Sequence, residues 1–502
     1  MDRAERRRQQ RVAGKRAETG PPQEPRTEPI APAEAMRLAE AYRQQGRLAD
    51  AYALYRRVLL AYPNHAESLD RCGLLALQLG RTEEAVRHLR RAVASRHDFA
   101  DAHNNLAIAL GATGRLDEAL RSCERAIRFN PDFVESHVNL GHLLKQKGDL
   151  EQAALAYRRA IELRPEHGNA HYQLGLTLHA LDRLDQAAAS LRRAVTLRPD
   201  QAEAHYSLGM VLHGMKALDD ALTAYDRAIR LKPSLLDGLF EVGKPRHVLA
   251  LFERGDHQKA LSALDDFLRR TPGQSCALAL KAIALDETGQ RAKVRELVDF
   301  ERLIRCERLN PPADFASMDE LNRALADHIR GHPTLQVAPP AFSAHRGKAT
   351  GELLRGDKGP IRVFERMMRA AVEAYQRSLP EQSDHPFVAN APRRWHLTMW
   401  GNVIETEGFQ VPHIHPSGWL SAVYYVTLPD VVASPGDARA GWIEFGEPYW
   451  DIAHNVQPEL KTFQPEAGML LLFPSYFYHR TLPFTSDQQR ISIAFDVVPS
   501  RG

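Results

Sequence analysis

Cysteine is scarce: four in 502 residues, Cys72, Cys123, Cys276 and Cys306, none at paired spacing. That spacing argues against a disulfide framework or a cysteine zinc knuckle, and a reducing, cytoplasmic setting is expected. Long apolar runs are also missing. No stretch reaches the roughly 18 apolar residues a bilayer-spanning helix needs, so no membrane segment is expected. Nor is there an excess of one charge. Lys and Arg number 66 against 63 Asp and Glu, a net charge of +3, which removes the bulk electrostatic case for a nucleic-acid or membrane partner. The opening stretch "MDRAERRRQQRVAGKRAETGPPQEPRTEPIAP" is basic but lacks the apolar core of a secretory signal. Its composition cannot bury a core, so residues 1–32 are expected to form a disordered, solvated basic arm. The rest is long enough for two or three domains.

What is present first is periodicity. A unit of 34 residues begins at Ala33 and recurs at Glu67, Asp101, Glu135, Asn169 and Glu203 without insertions. Small residues return at Ala39, Gly73, Ala107, Gly141, Gly175, Gly209 and Gly243. Alanines return at Ala51, Ala85, Ala119, Ala153, Ala187 and Ala221, and again at Ala92, Ala126, Ala160, Ala194 and Ala228. Proline closes the unit at Pro63, Pro131, Pro165, Pro199 and Pro233, with His97 as the exception. This is the pattern of two antiparallel helices per unit. Small side chains let the backbones approach, and proline stops the second helix. The pattern resembles the tetratricopeptide repeat over residues 33–236. Residues 237–310 read as degenerate repeats that cap the array, with Pro245 breaking the register.

Such an array presents a groove built from its first helices and reads as a binding module. His103, His137, His171 and His205 recur once per unit. A ladder of equivalent sites does not converge on one ion, so packing or groove polarity is expected of them rather than metal binding. Asn105 and Asn139, with Gln173 and Ser207 at the equivalent positions, could hydrogen-bond the backbone of an extended peptide. A protein or peptide partner for the groove is expected.

Residues 311–392 change character and read as a linker with helices that pack on the next domain. Ser317 is placed to cap a helix that Gly331 stops. A second helix follows Pro360, with an apolar stripe expected through Val363, Met367, Ala370 and Ala374. From residue 393 to 502 the chain turns to short strand-like runs: "RRWHLTMWGNVI", "WLSAVYYVTLP", "GWIEFG", "LKTF", "GMLLLFPS" and "RISIAFDVV". Turn signals at Pro429, Pro435-Gly436 and Gly468 separate them. The predicted fold class is therefore α+β multidomain: an α-solenoid followed by a jelly roll.

Three features of that second half carry chemistry. His413 and His415, in "QVPHIHPSGWLSAVYYV", share a face of an extended chain. "LLLFPSYFYHRTLPF" delivers His479 just after an apolar strand. In "QQRISIAFDVV", Arg490 and Ser492 alternate with Ile491 and Ile493, and an arginine buried on a strand needs an anion.

Residues 395–499 resemble the double-stranded β-helix of the iron(II)- and 2-oxoglutarate-dependent oxygenases. The likeness is to a bacterial oxygenase family carrying HxHP, LSxxYYV, LFPS, a distal histidine and RxSIAF in that order. "RISIAFDVVP" is also similar to the last strand of the aspartyl/asparaginyl β-hydroxylases, where comparable repeats precede the oxygenase domain. The resemblance implies Fe(II) on His413 and His479. It implies 2-oxoglutarate clamped by Arg490 and Ser492, with Asn402 as a further cofactor-binding candidate and Trp400 beside it in the same "MWGN" stretch. Of the adjacent Tyr424 and Tyr425, one is expected in the core and the other lining the pocket, with Tyr424 taken as the cofactor-binding candidate. It implies hydroxylation of a substrate that the groove would recruit.

One departure stands out: where many members carry a carboxylate, this chain has His415. His415 could be a third ligand. It could stand aside, leaving two histidines and water. Or Glu444, in "GWIEFG", could swing in from a neighbouring strand. Two rival functions follow from the same residues. One is a non-catalytic repeat scaffold with a degenerate barrel; the other is a cupin-like metalloenzyme with a three-histidine site and no cosubstrate.

Overall fold

The computed structural model of the chain describes residues 31–235, 237, 240, 245–337, 344–433, 439–449 and 452–500. The basic arm as far as residue 30, Gly243 and the Pro435-Gly436 turn signal lie outside the described residues. Two compact units divide between Val211 and Leu212.

In the first unit, helices of 13 or 14 residues alternate from Pro32–Gln44 and Leu48–Ala61 to Gly168–Ala180 and Leu184–Leu197. These are the tetratricopeptide helix pairs. The recurrent alanines are where close approach demands them: Ala85, Ala119, Ala153 and Ala187 are fully buried, as are Ala92, Ala126, Ala160 and Ala194. At Gly141 a Cβ would lie 2.5 Å from Cε1 of Tyr157, so only glycine admits the second helix of that repeat. The turn between paired helices needs a left-handed residue. Gly46, Gly80, Gly114 and Gly148 fill it, and Asp182 takes the same conformation at φ 56° one period later.

The histidine ladder has a backbone role. The Nε2 atoms of His103, His137, His171 and His205 lie 2.8–3.1 Å from the carbonyl oxygens of His97, Pro131, Pro165 and Pro199, six residues earlier. Each ring thus satisfies a carbonyl left open where the preceding helix stops.

The second unit holds the helices from Leu218–Leu231 onward and the sheet. Its strands are β1 (Arg305–Arg308), β2 (Gln336–Val337), β3 (Ala344–Ala349), β4 (Trp395–His413), β5 (Leu420–Thr427), β6 (Ile443–Phe445), β7 (Lys461–Phe463), β8 (Met469–Pro474), β9 (His479–Thr481) and β10 (Arg490–Pro499). They pair in the order β1-β8-β5-β10-β4-β9-β6-β7, with β3 bridging β2 and β4. All pairings are antiparallel, as in a jelly roll. The sheet takes β1, β2 and β3 from before Arg393, where the apolar alternation is too short to announce a strand.

Alternation on β10 sets the two faces. Ile491, Ile493, Phe495 and Val497 are all fully buried on one side, while Arg490, Ser492, Ala494 and Asp496 line a cavity on the other. The helix Met318–Arg330 packs on the outer face, where Gly401 of β4 leaves room for Ile329. Ser317 caps that helix, its Oγ accepting from the Glu320 amide at 3.2 Å, and Gly331 follows its end. The helix Ile361–Ser378 begins after Pro360, but its buried stripe is not the expected one. Ile361, Phe364, Met368, Ala371, Val372 and Tyr375 face inward, one position on from Met367 and Ala370. The aromatic side chains at Phe364 and Tyr375 turn the helix so that the larger apolar area is removed from water.

Candidate active site

The imidazoles come together. His413 ends β4 and His479 begins β9, and the two are direct register partners across that pair. Their ring centroids lie 4.2 Å apart, and that of His415 lies 5.3 Å from His413 and 5.2 Å from His479. One ring nitrogen from each falls within 4.8 Å of the others.

Each ring is oriented from behind. Nδ1 of His413 lies 2.9 Å from the Val411 carbonyl, and Nδ1 of His479 lies 3.0 Å from the Phe477 carbonyl, two residues back in both cases. Nδ1 of His415 lies 2.7 Å from Oδ1 of Asp496. In each case the outer nitrogen serves as the N–H donor, which puts the lone pair on Nε2, the arrangement a metal-binding imidazole adopts. Burial holds the His413 imidazole down to a pKa of about 3, with His415 beside it adding to the effect. Burial, followed by the neighbouring His413 and His415, places His479 well below the usual imidazole range. Both rings are therefore neutral near pH 7, the form that ligates.

The same cavity, about 290 Å³, holds a cationic wall. Arg490 is 1% exposed, and its Nε and Nη1 have no hydrogen-bond partner among the described residues. The phenol oxygen of Tyr425 is buried beside the guanidinium, which offsets part of the rise that burial gives its pKa, and the guanidinium carbon sits 5.1 Å from the Tyr425 ring centroid. A buried guanidinium with open N–H groups is costly unless an anion meets it. Ser492 and Asn402 face each other in register on β10 and β4 and line the cavity beside it.

Two expectations are corrected. Tyr424 is not in the cavity: its hydroxyl donates to Oδ1 of Asn322 at 2.6 Å, and its ring lies against Phe364 on the outer face. Its neighbour Tyr425 points inward, because strand alternation sends adjacent residues to opposite sides. Glu444 does not swing in. Ile443 takes the cavity side of β6, and Glu444 turns away to pair with Arg480, whose Nε lies 2.8 Å from Oε1.

Other lining residues had little or no motif to mark them. Trp400 stacks on His415 at 5.5 Å and 23°, while Gln410 and Thr481 are joined by a 2.9 Å hydrogen bond. Asp496 was legible by parity alone, two strand positions beyond Ala494 on the face that carries Arg490.

In the repeat array, Asn105 and Asn139 already hold partners. Asn105 Nδ2 donates to Asp70 Oδ1, and Asn139 Nδ2 to Asn104 Oδ1, each at 2.8 Å. These bonds tie the first helices of neighbouring repeats and leave each amide oxygen to be used otherwise. Gln173 is half-buried at the next equivalent position. No helix among the described residues is long and apolar enough to cross a membrane.

Comparison with known proteins agrees with both halves. The family described as "Putative 2OG-Fe(II) oxygenase" matches residues 398–496. Tetratricopeptide-repeat families match residues 32–96, 73–132, 138–202 and 180–235. Among solved structures, MamA is similar at 24% identity over 33% of this chain and 96% of its own, with a TM-score of 0.30. YrrB, described as a TPR protein with an unusual peptide-binding site, is similar at 21% identity over 36% of this chain and 92% of its own, TM-score 0.32. The pilF protein of Pseudomonas aeruginosa is similar at 19% identity over 40% of this chain and 91% of its own, TM-score 0.37. No curated protein matches. The chain thus carries tetratricopeptide repeats in its N-terminal region and, at residues 398–496, a domain matching the family described as "Putative 2OG-Fe(II) oxygenase".

Proposed function

We propose that the barrel is an Fe(II)- and 2-oxoglutarate-dependent dioxygenase that hydroxylates a protein or peptide held by the repeat groove. The observation that carries this reading is one cavity containing both a three-imidazole cluster and a buried guanidinium whose Nε and Nη1 have no hydrogen-bond partner among the described residues. His413 and His479 would hold the iron, with His415 as the third ligand. Arg490, with Ser492 and Tyr425, would hold the far carboxylate of 2-oxoglutarate. Bound there, iron and cosubstrate supply activation of dioxygen coupled to decarboxylation to succinate.

The chain's own part is to fix geometry and exclude water. The carbonyls of Val411 and Phe477 orient two of the rings. Val423, Phe473 and Ile443 give the cavity apolar walls, which strengthens a guanidinium–carboxylate contact inside it. Asn105, Asn139 and Gln173 are the groove residues proposed to meet a substrate backbone.

The test is anaerobic addition of Fe(II) and 2-oxoglutarate, which should produce the visible charge-transfer band of the chelate. Arg490→Ala should abolish it while leaving iron bound, and succinate release in air should follow. The three-histidine cluster also suits a cupin-like metalloenzyme without cosubstrate. Iron binding with no chelate band in the unsubstituted protein would favour that reading, and no iron binding at all would favour a scaffold.

A further inference from the structure

His415 stands where the related oxygenases place a carboxylate, yet a carboxylate is present one step further out. Asp496 reaches Nδ1 of His415 with both oxygens, Oδ1 at 2.7 Å and Oδ2 at 2.9 Å. Asp496 is itself held: Ser421 Oγ donates to its Oδ1 at 2.6 Å, and Ser421 in turn contacts Ser475 Oγ at 2.8 Å. The loop that carries His415 is tied to the same place. The His415 amide donates to the Ser475 carbonyl at 3.0 Å, and Gly418 lets that loop lie against Ser475, where a Cβ would come within 2.5 Å of Oγ.

The ring is constrained on its remaining sides as well. Trp400 stacks on its face. Its Nε2 is buried and has no hydrogen-bond partner among the described residues. An imidazole anchored at Nδ1 by a carboxylate, covered on one face and left with an open, buried Nε2 beside two other imidazoles is costly to build unless Nε2 meets a ligand. Packing histidines such as His103 and His247 also leave a buried nitrogen open, but the open Nε2 of His415 stands within ligating distance of two further imidazoles.

We propose that Asp496 is a positioning residue that makes His415 the third metal ligand. The negative charge usually found in direct contact with iron is displaced outward by one imidazole. The dyad restores to the site the charge that the substitution of carboxylate by histidine removes, because an aspartate–imidazole pair is a stronger donor than imidazole alone. It also explains why Asp496 lies on the cavity face of β10, six residues beyond Arg490. The inference rests on the metal-site reading above and decides between its three-histidine and two-histidine forms.

The experiment is anaerobic Co(II) titration of the full chain, read from the intensity and position of the visible ligand-field bands and from competition with a chelator. Asp496→Asn keeps the shape and one acceptor oxygen but removes the charge. Asp496→Ala removes both, and circular dichroism melts show whether each variant folds. The expected result is a loss of roughly 10–100-fold in Co(II) affinity in Asp496→Ala, with a shifted band and a smaller loss in Asp496→Asn. In a His415→Ala background the Asp496 substitutions should have no further effect, which a general loss of stability would not reproduce. Unchanged bands and affinity in Asp496→Asn and His415→Ala, with Co(II) still bound, would overturn the inference and leave a two-histidine site. Failure of the unsubstituted protein to bind Co(II) would instead sink the metal-site reading itself.

Discussion

His413 and His479 are register partners across β4 and β9, with ring centroids 4.2 Å apart although they lie 66 positions apart in the chain. One strand end and one strand beginning, paired antiparallel, place two imidazoles side by side with no loop between them to relax. The site therefore sits on sheet hydrogen bonds, and its chemistry can be tested residue by residue.

Arg490 offers the sharpest separation of functions. With Nε and Nη1 unpartnered and the side chain 1% exposed, its removal deletes a cation and leaves the imidazoles in place. Arg490→Ala should weaken 2-oxoglutarate binding by roughly 10–100-fold, the worth of a charge-assisted bidentate contact. Calorimetric titration of the metal-loaded protein measures this directly. Equal affinity in the variant would remove the clamp.

The adjacent tyrosines should behave oppositely. Tyr424→Phe loses the hydroxyl contact to Asn322 and should cost about 1 kcal/mol of stability without changing cosubstrate affinity. Tyr425→Phe should weaken 2-oxoglutarate binding and leave stability nearly unchanged, since its hydroxyl has no partner among the described residues to lose. Paired urea melts and cosubstrate titrations of the two variants check the split.

Glu444 faces away from the cavity, and Arg480 is its partner. Glu444→Gln should leave metal affinity unchanged while lowering the denaturation midpoint, with a cost of about 1 kcal/mol for a pair whose arginine is partly exposed. A fall in metal affinity of tenfold or more would return Glu444 to the list of ligands.

His247 governs a pH dependence away from the site. It is buried in the helix Arg246–Arg254, with Nδ1 unpartnered among the described residues, and burial lowers its pKa to about 4 from the ordinary 6.5. The unfolded chain protonates below about pH 6.5 while the folded chain resists until about pH 4. Its contribution is complete above the unfolded value and is lost as the pH falls between the two. That amounts to about 2 kcal/mol between about pH 7 and about pH 5. Urea melts at both values should show a smaller drop for His247→Leu than for the unsubstituted protein. Identical pH dependence would exclude the effect.

Much of this molecule was legible as pattern. The repeat announces itself because each unit must place small residues at the same helix contacts, and Ala85, Ala119, Ala153 and Ala187 are fully buried as that rule requires. The β10 alternation is equally readable. Arg490 and Ser492 fall on the opposite side from Ile491 and Ile493, because a strand has no other option. The same parity rule reaches Asp496, which no motif singled out.

Other features depended on what the elements pack against. Met367 and Ala370 are apolar and suitably spaced, yet helix Ile361–Ser378 buries Phe364, Met368 and Tyr375, because the face presented inward is set by the sheet it covers. Tyr424 and Tyr425 are chemically alike, and only the side on which the helices lie tells which one reaches the cavity. Likewise β9, three residues long, has too little sequence to be recognised and exists because β4 and β6 flank it.

The sequence alone determined the helical repeat, the strand parity and the residue types available for chemistry, since these follow from local periodicity and side-chain identity. Only the tertiary structure decided that His413, His415 and His479 meet, that Asp496 stands behind one of them, and that Glu444 turns away. Those are distances between segments far apart in the chain, and they are set by sheet register and by which face the packed helices keep from water.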